Sequence, residues 1–232
     1  MKHLFAVAFI AVAFCLNGQS TRSYPLADFA AIELSLPAEI QVTQGRNWLV
    51  EISADEEALE DLSLFVEAGT LHIEREGGDW WEWIFEGNEE RGLDVRIVMP
   101  ALRSLDISGA AEATIEGFSG KSLDIDIAGA AELIFNGKYD VLTCELAGAG
   151  ELELTGGGER LVLDVAGAAD IQAKHYIADV VEIDGAGAVD ATVHARQKLV
   201  IDIAGAGEVR YAGNPSEVIE DISGAAEVHK ID

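Results

Sequence analysis

From residue 103 onward the chain alternates apolar and polar side chains with a period of two, and glycine cuts the alternation at regular intervals. The string Gly-Ala-Ala/Gly-Glu/Asp begins at Gly109, Gly129, Gly148, Gly167, Gly205 and Gly224, and a variant with Val189 in third place begins at Gly187. The spacings are 20, 19, 19, 20, 18 and 19 residues, so seven units follow one another at a nearly constant length. Six, four and two residues before the glycine the side chains are mostly apolar, as in Leu123, Ile125, Ile127 or Leu199, Ile201, Ile203. Apolar residues return four places after it, as at Leu133, Leu152, Ile171, Val209 and Val228. Even positions therefore face a core and odd positions face water, the two-residue period of a half-buried strand. Gly-Ala-Gly clusters and the absence of a 3.6-residue period exclude helices here.

A second break follows about eight residues later, at Gly117, Gly137, Gly156, Ala195 and Gly213. Each unit thus predicts two short strands and two corners, one coil of a solenoid in which every strand lies on its copy from the preceding unit. The fold class expected is all-β: a single-stranded parallel β-helix of about 19 residues per coil, taken as right-handed although no residue pattern fixes the hand. Residues 28–102 predict less regular coils of the same domain, with strand candidates around Leu34 to Val42, Val50 to Ile52, Leu62 to Val66, Leu71 to Ile73 and Val95 to Val98. Residues 75–92 interrupt them with Gly77-Gly78, Trp80, Trp81, Trp83, Phe85 and a charged run, which reads as a protruding loop.

The two outward positions three residues either side of each glycine are acidic in every unit. The column before it runs Asp106, Asp126, Glu145, Asp164, Asp184, Asp202, Asp221, and the column after it runs Glu112, Glu132, Glu151, Asp170, Asp190, Glu208, Glu227. They dominate a composition of 42 acidic against 15 basic residues and a net charge of −27. That balance excludes nucleic acid, which is gripped through Lys and Arg, and electrostatic docking on an anionic leaflet. It leaves divalent cations, basic partners or plain solubility. With 49% hydrophobic residues the chain is no disordered acidic tail.

At the start, Lys2 and the apolar run Leu4 to Phe14 predict an export signal over residues 1–18, too short to span a bilayer. Lipoprotein processing at Cys15 is the competing reading, with the bulky Phe14 against it. The expected product is a single domain, residues 19–232, whose charge moves from −27 to −28 with the loss of Lys2. It keeps only Cys144, so no internal disulfide holds it and the core must do so. It is expected in the periplasm, at the outer-membrane surface or secreted.

Three stretches in order carry a family resemblance: Leu36-Pro37-Ala38-Glu39-Ile40 with Gln44-Gly45, then Val95 to Leu105, then the glycine motifs. Across roughly residues 28–230 the chain resembles the autotransporter adhesin head domain family, the GIN domain, of exported proteins from Bacteroidetes-like bacteria. The resemblance implies a parallel β-helix outside the cytoplasm, no established catalysis, and a surface protein or glycan as partner. With the sequence stopping at Asp232, no translocating membrane barrel is expected.

Four candidate chemistries follow. Trp80, Trp81, Trp83 and Phe85 are the best single binding candidate, since exposed aromatics stack on sugars and anchor interfaces, the alternative being a lid packed on the solenoid flank. Asp126, Glu145, Asp164, Asp184 and Asp202 are the candidate cation ligands, with Ca²⁺ as the ion that clustered carboxylates favour; the alternative is a charged wall that keeps a flat sheet soluble. No other cofactor is expected. Polysaccharide lyases or hydrolases also use β-helices, but a catalytic group should break the repeat locally, and Arg210 and Lys230 near the carboxyl-terminal coils are the basic departures worth noting. His175 and His194, 19 residues apart, form no recognisable ligand spacing with His72 and His229, and Cys144 occupies an inward apolar position, where a packed core residue is expected.

Overall fold

The computed structural model describes residues 19–75 and 92–231. The export signal assigned to residues 1–18 and the aromatic residues Trp80, Trp81, Trp83 and Phe85 lie outside the described residues. In chain order the elements are β1 (Ser20–Tyr24), β2 (Ala31–Leu34), β3 (Ala38–Gln44), β4 (Leu49–Ala54), α1 (Glu56–Glu60), β5 (Leu62–Glu67), β6 (Thr70–Arg75), β7 (Asp94–Met99), β8 (Ser104–Ala212) and β9 (Glu217–Lys230). Among the described residues the fold is all-β save for one short helix. The strands join one open sheet in the order β1-β4-β7-β3-β8-β2-β6-β5, with β9 added on β8.

Strand β8 is the repeat region, 109 residues of unbroken extended backbone. Laid straight at about 3.3 Å per residue it would run to roughly 360 Å. It instead bends back at its glycines. A side chain placed on Gly129, Gly148, Gly167, Gly187, Gly205 or Gly224 would run into the carbonyl oxygen of the corner glycine one unit earlier. The corner glycines therefore stand on one another. The one strand-to-strand register within this region, between β8 and β9, is parallel at an offset of 19, from Lys198↔Glu217 to Tyr211↔Lys230. The extended backbone also runs through the second break, where glycines such as Gly117 (φ +83°) and Gly156 (φ +127°) take left-handed angles that let the chain turn.

The inward positions make one continuous core. Leu123, Ile125, Leu133, Phe135, Leu161, Leu163, Ile171, Leu199 and Ile201 are fully buried, while the acids between them are not. Near the second bend the core holds two tyrosines. The Tyr139 hydroxyl donates to the Leu102 carbonyl at 2.7 Å and the Tyr176 hydroxyl donates to the Tyr139 carbonyl at 3.2 Å. Phe135 packs against both rings, at 6.2 and 6.1 Å. Gly120, Gly137 and Gly158 make room for these rings and backbones, since a Cβ on any of them would press on Tyr139, Phe135 or their neighbours. Among the described residues no buried side-chain polar atom lacks a partner.

The amino-terminal part departs from the regular stacking expected of it. β2 and β3 do pair parallel with β8, through Ala31↔Ser104 and Ala38↔Ala111. But β1, β4 and β7 pair antiparallel, as do β5 and β6. The β5–β6 hairpin has a local cause: its two linking residues, Ala68 (φ +50°) and Gly69 (φ +86°), are both left-handed, the twist of a tight two-residue turn that can only return the chain antiparallel. The helix was not predicted. Asp55 caps it, accepting the Ala58 N–H at 2.8 Å, with Glu56 and Glu57 in the first turn where the helix dipole favours acids.

Candidate functional site

The sheet registers convert the two acidic columns into neighbours and lengthen both. Glu33 pairs with Asp106 on one side and with His72 on the other, and Asp202 pairs with Asp221. The first column thus continues past its predicted end to Glu33 and His72, whose Nδ1 lies 3.0 Å from the Glu33 carboxylate. Phe65 stacks on that imidazole at 4.7 Å. In the second column Glu112 pairs with Glu39 and Glu39 with Asp94, so two more carboxylates join it. The sequence hid Glu33, Glu39, His72 and Asp94 because their strands lack the glycine motif that indexes the repeat. Only the registers align them.

Between the columns lies a flat corner of glycine and alanine. Asp106, Asp126, Glu145 and Asp164 wall a groove of about 390 Å³ floored by Ser108, Ala128, Ala147 and Ala166. Glu39, Asp94, Glu112 and Glu132 wall a second, of about 700 Å³, over Ala110, Ala130 and Ala149. A third of about 660 Å³ joins them across Gly109 and Gly129. Of the five predicted cation ligands, Asp126, Glu145 and Asp164 share the first groove; Asp184 and Asp202 stand further along the column. Stacked outward strands present carboxylates as a row about 4.8 Å apart and not as a converging cage of oxygens. Among the described residues no group of three or more His, Cys, Asp or Glu comes together as a metal-holding set.

Asp126 is pushed up to about 6, chiefly by burial, then by a hydrogen bond and like charge from Asp106, and by the charges of Glu145 and Asp124. Its ionised form is the one the fold disfavours, so the sign is opposite to that of an ion-paired acid. The contribution of Asp126 is most favourable below its unfolded value near 3.8, weakens as pH rises between 4 and 6, and is least favourable above 6. Asp126→Asn is expected to stabilise the protein at pH 7 by about 1 kcal/mol, allowing for solvent screening at a half-buried site, and to flatten that stretch of the curve. Urea unfolding at pH 4, 5, 6 and 7 measures it; an unchanged pH profile in the variant would remove Asp126 as the source.

The remaining candidates are accounted for by their surroundings. Cys144 is buried, and burial followed by the nearby Asp126 charge pushes its thiol up to about 12, far from a thiolate nucleophile. Arg210 sits 3.4 Å from Glu208, and Lys230 donates to Asn214 at 2.7 Å. A mixed patch that the sequence did not announce lies on β1, β4, β7 and β3, where Arg96 meets Glu51 at 3.2 Å beside Glu39, Asp94, Thr21, Gln41 and Ser53 in a groove of about 250 Å³. No helix among the described residues is long and apolar enough to cross a membrane.

Comparison with known proteins places this arrangement. Residues 28–215 match the sequence family described as "Putative auto-transporter adhesin, head GIN domain". A "putative adhesin" from Bacteroides fragilis NCTC 9343 superposes with a TM-score of 0.82 at 20% identity, over 93% of this chain and 98% of that one. A "putative adhesin" from Parabacteroides merdae ATCC 43184 gives 0.70 at 20% identity, over 93% and 97%. A "putative lipid binding protein" from Parabacteroides distasonis ATCC 8503 gives 0.67 at 23% identity, over 93% and 98%. At these identities the likeness speaks for the fold. No curated protein matches the chain.

Proposed function

Because the chain belongs to the family of the autotransporter adhesin head, the GIN domain, we propose that it is a non-catalytic extracytoplasmic adhesion or cell-envelope binding protein built as a parallel β-helix. The stack of corner glycines and the 19-residue offset between β8 and β9 support coils of that length. The apolar run Leu4 to Phe14 supports export. The observation that carries the non-catalytic reading is the regularity of the acidic columns. A catalytic acid needs a neighbourhood unlike that of its copies, whereas these carboxylates recur in every unit and continue into Glu33, Glu39 and Asp94; Asp126 is pushed up by burial and by acids of the repeat itself, Asp106, Glu145 and Asp124.

The partner is a surface protein or glycan, and Trp80, Trp81, Trp83 and Phe85 are the residues assigned to hold it, on the strength of their aromatic density. A glycan and cell-surface binding screen tests this. The wild-type protein is expected to bind, and the Trp80→Ala, Trp81→Ala, Trp83→Ala triple variant to lose about tenfold or more, each buried aromatic anchor being worth roughly 2 kcal/mol or above. Equal binding by both dismisses the aromatic residues; absence of binding by the wild type across the screen dismisses adhesion.

A cation-stabilised surface is the second reading, favoured by the raised Asp126 and its carboxylate neighbours. Millimolar Ca²⁺ is expected to raise the thermal midpoint by screening the row, and Asp126→Asn to blunt the rise. An unmoved midpoint ends this reading.

A further inference from the structure

The apolar column four residues before each corner glycine runs Leu105, Ile125, Cys144, Leu163, Ile183, Ile201 and ends in Glu220. Its first six members are no more than 2% exposed. Glu220 stands in register on Ile201, at an inward position of β9, yet it is exposed, because among the described residues β9 pairs only with β8. The outer edge of β9 is thus 14 residues of backbone with donors and acceptors on offer. Val218 and Ile219 beside it are 37% and 42% exposed. An edge of this length and character is a template for another strand.

We propose that Glu220 closes this edge to a second copy of the chain, acting as the terminator of the stack. A copy that added a strand to β9 would lay its own side chains over the inward positions and strip water from the Glu220 carboxylate. Burying a carboxylate without a partner costs several kcal/mol. No cation on β9 is placed to relieve it: Lys230 is held by Asn214 at 2.7 Å, and Lys198 on the neighbouring strand meets Glu217 at 3.3 Å. Glu217, Asp221 and Glu227 add charge of the same sign along the strand, so two such edges repel before they meet. Replacing Glu220 restores the continuous apolar column four residues before the corner glycines and leaves that stretch of the edge ready to pair. The proposal stands whatever the protein binds elsewhere.

Glu220→Ile and the isosteric Glu220→Gln test it, with Glu217→Gln as a variant that removes an outward charge from the same strand. Sedimentation velocity at pH 7 over a hundredfold concentration range is expected to show a monomeric wild type and Glu217→Gln, reversible self-association of Glu220→Ile, and weaker association of Glu220→Gln. The association constant should rise by about tenfold or more for the Ile variant. Folded Glu220 variants that both remain monomeric overturn the proposal, and so does a wild type that already pairs through β9. If Glu220→Ile does not fold, Glu220→Gln decides, since it removes only the charge.

Discussion

Gly167→Ala is expected to cost about 3–5 kcal/mol of folding stability, enough to leave the protein largely unfolded under mild denaturant, while Gly109→Ala costs markedly less. Both glycines are corner residues with left-handed backbones, φ +145° and +120°, so alanine is strained at each by roughly 1–3 kcal/mol. They differ in what the new methyl meets. At Gly167 it overlaps the Gly148 carbonyl oxygen, with the Gly148 carbonyl carbon and nitrogen close behind; at Gly109 nothing lies within 4 Å. Backbone in an adjacent unit cannot swing aside as a flexible side chain can. Overpacking of this kind typically adds another 1–3 kcal/mol. The exposed neighbour Ala168 supplies the control, for Ala168→Ser should fall within about 0.5 kcal/mol of wild type. Urea midpoints of the three variants measure the contrast. Equal losses at Gly167 and Gly109 would mean that the corner glycines serve only their own backbone angles and not the contact between units.

That contrast also marks what could be read in advance. The inward and outward assignments of residues 103–228 followed from a period of two, because one face of a strand is buried and a slip of one residue would exchange the faces. Leu123, Ile125, Ile201 and Cys144 are buried as that pattern requires. The glycines were legible as corners by recurrence, but not their contact with one another, which depends on how closely adjacent units approach. The amino-terminal pairing was less legible. Leu62 to Val66 and Leu71 to Ile73 were recognisable as strands, yet Ala68-Gly69 is a weak hairpin signal beside Asn-Gly, and the antiparallel return went unseen. Helix α1 rests on a single cap at Asp55 and one buried residue, Leu59, too little periodicity to stand out. For the candidate site, the columns were legible wherever the motif indexed them. Glu39, Asp94 and Glu33 reach the same rows through strand register alone, with no sequence period connecting them.

If the units are interchangeable coils, a whole one can be removed. Deleting the 18 residues from Gly187 to Ala204 joins Ala186 directly to Gly205, which restores the corner sequence and keeps every inward column in phase. The tyrosine pair at 139 and 176 is untouched, and β9 then follows a unit that ends as its natural neighbour does. Stability in stacked repeats is close to a sum over units. At about 0.05–0.15 kcal/mol per residue, the loss should be roughly 1–3 kcal/mol, with the β-type circular dichroism retained. Deleting Val200 alone should do far more damage. It shifts the phase by one, turning Ile201 and Ile203 outward and Asp202 inward onto the Asp184-bearing strand. Burying that carboxylate and exposing two core side chains exceeds what one coil contributes, so the carboxyl-terminal units are expected to unfold. The large deletion should therefore be the milder one. Circular dichroism and urea unfolding of the two variants decide the matter: a tolerated Val200 deletion beside an unfolded 18-residue deletion would mean that the units are not stacked in phase, and the coil reading would fall with it.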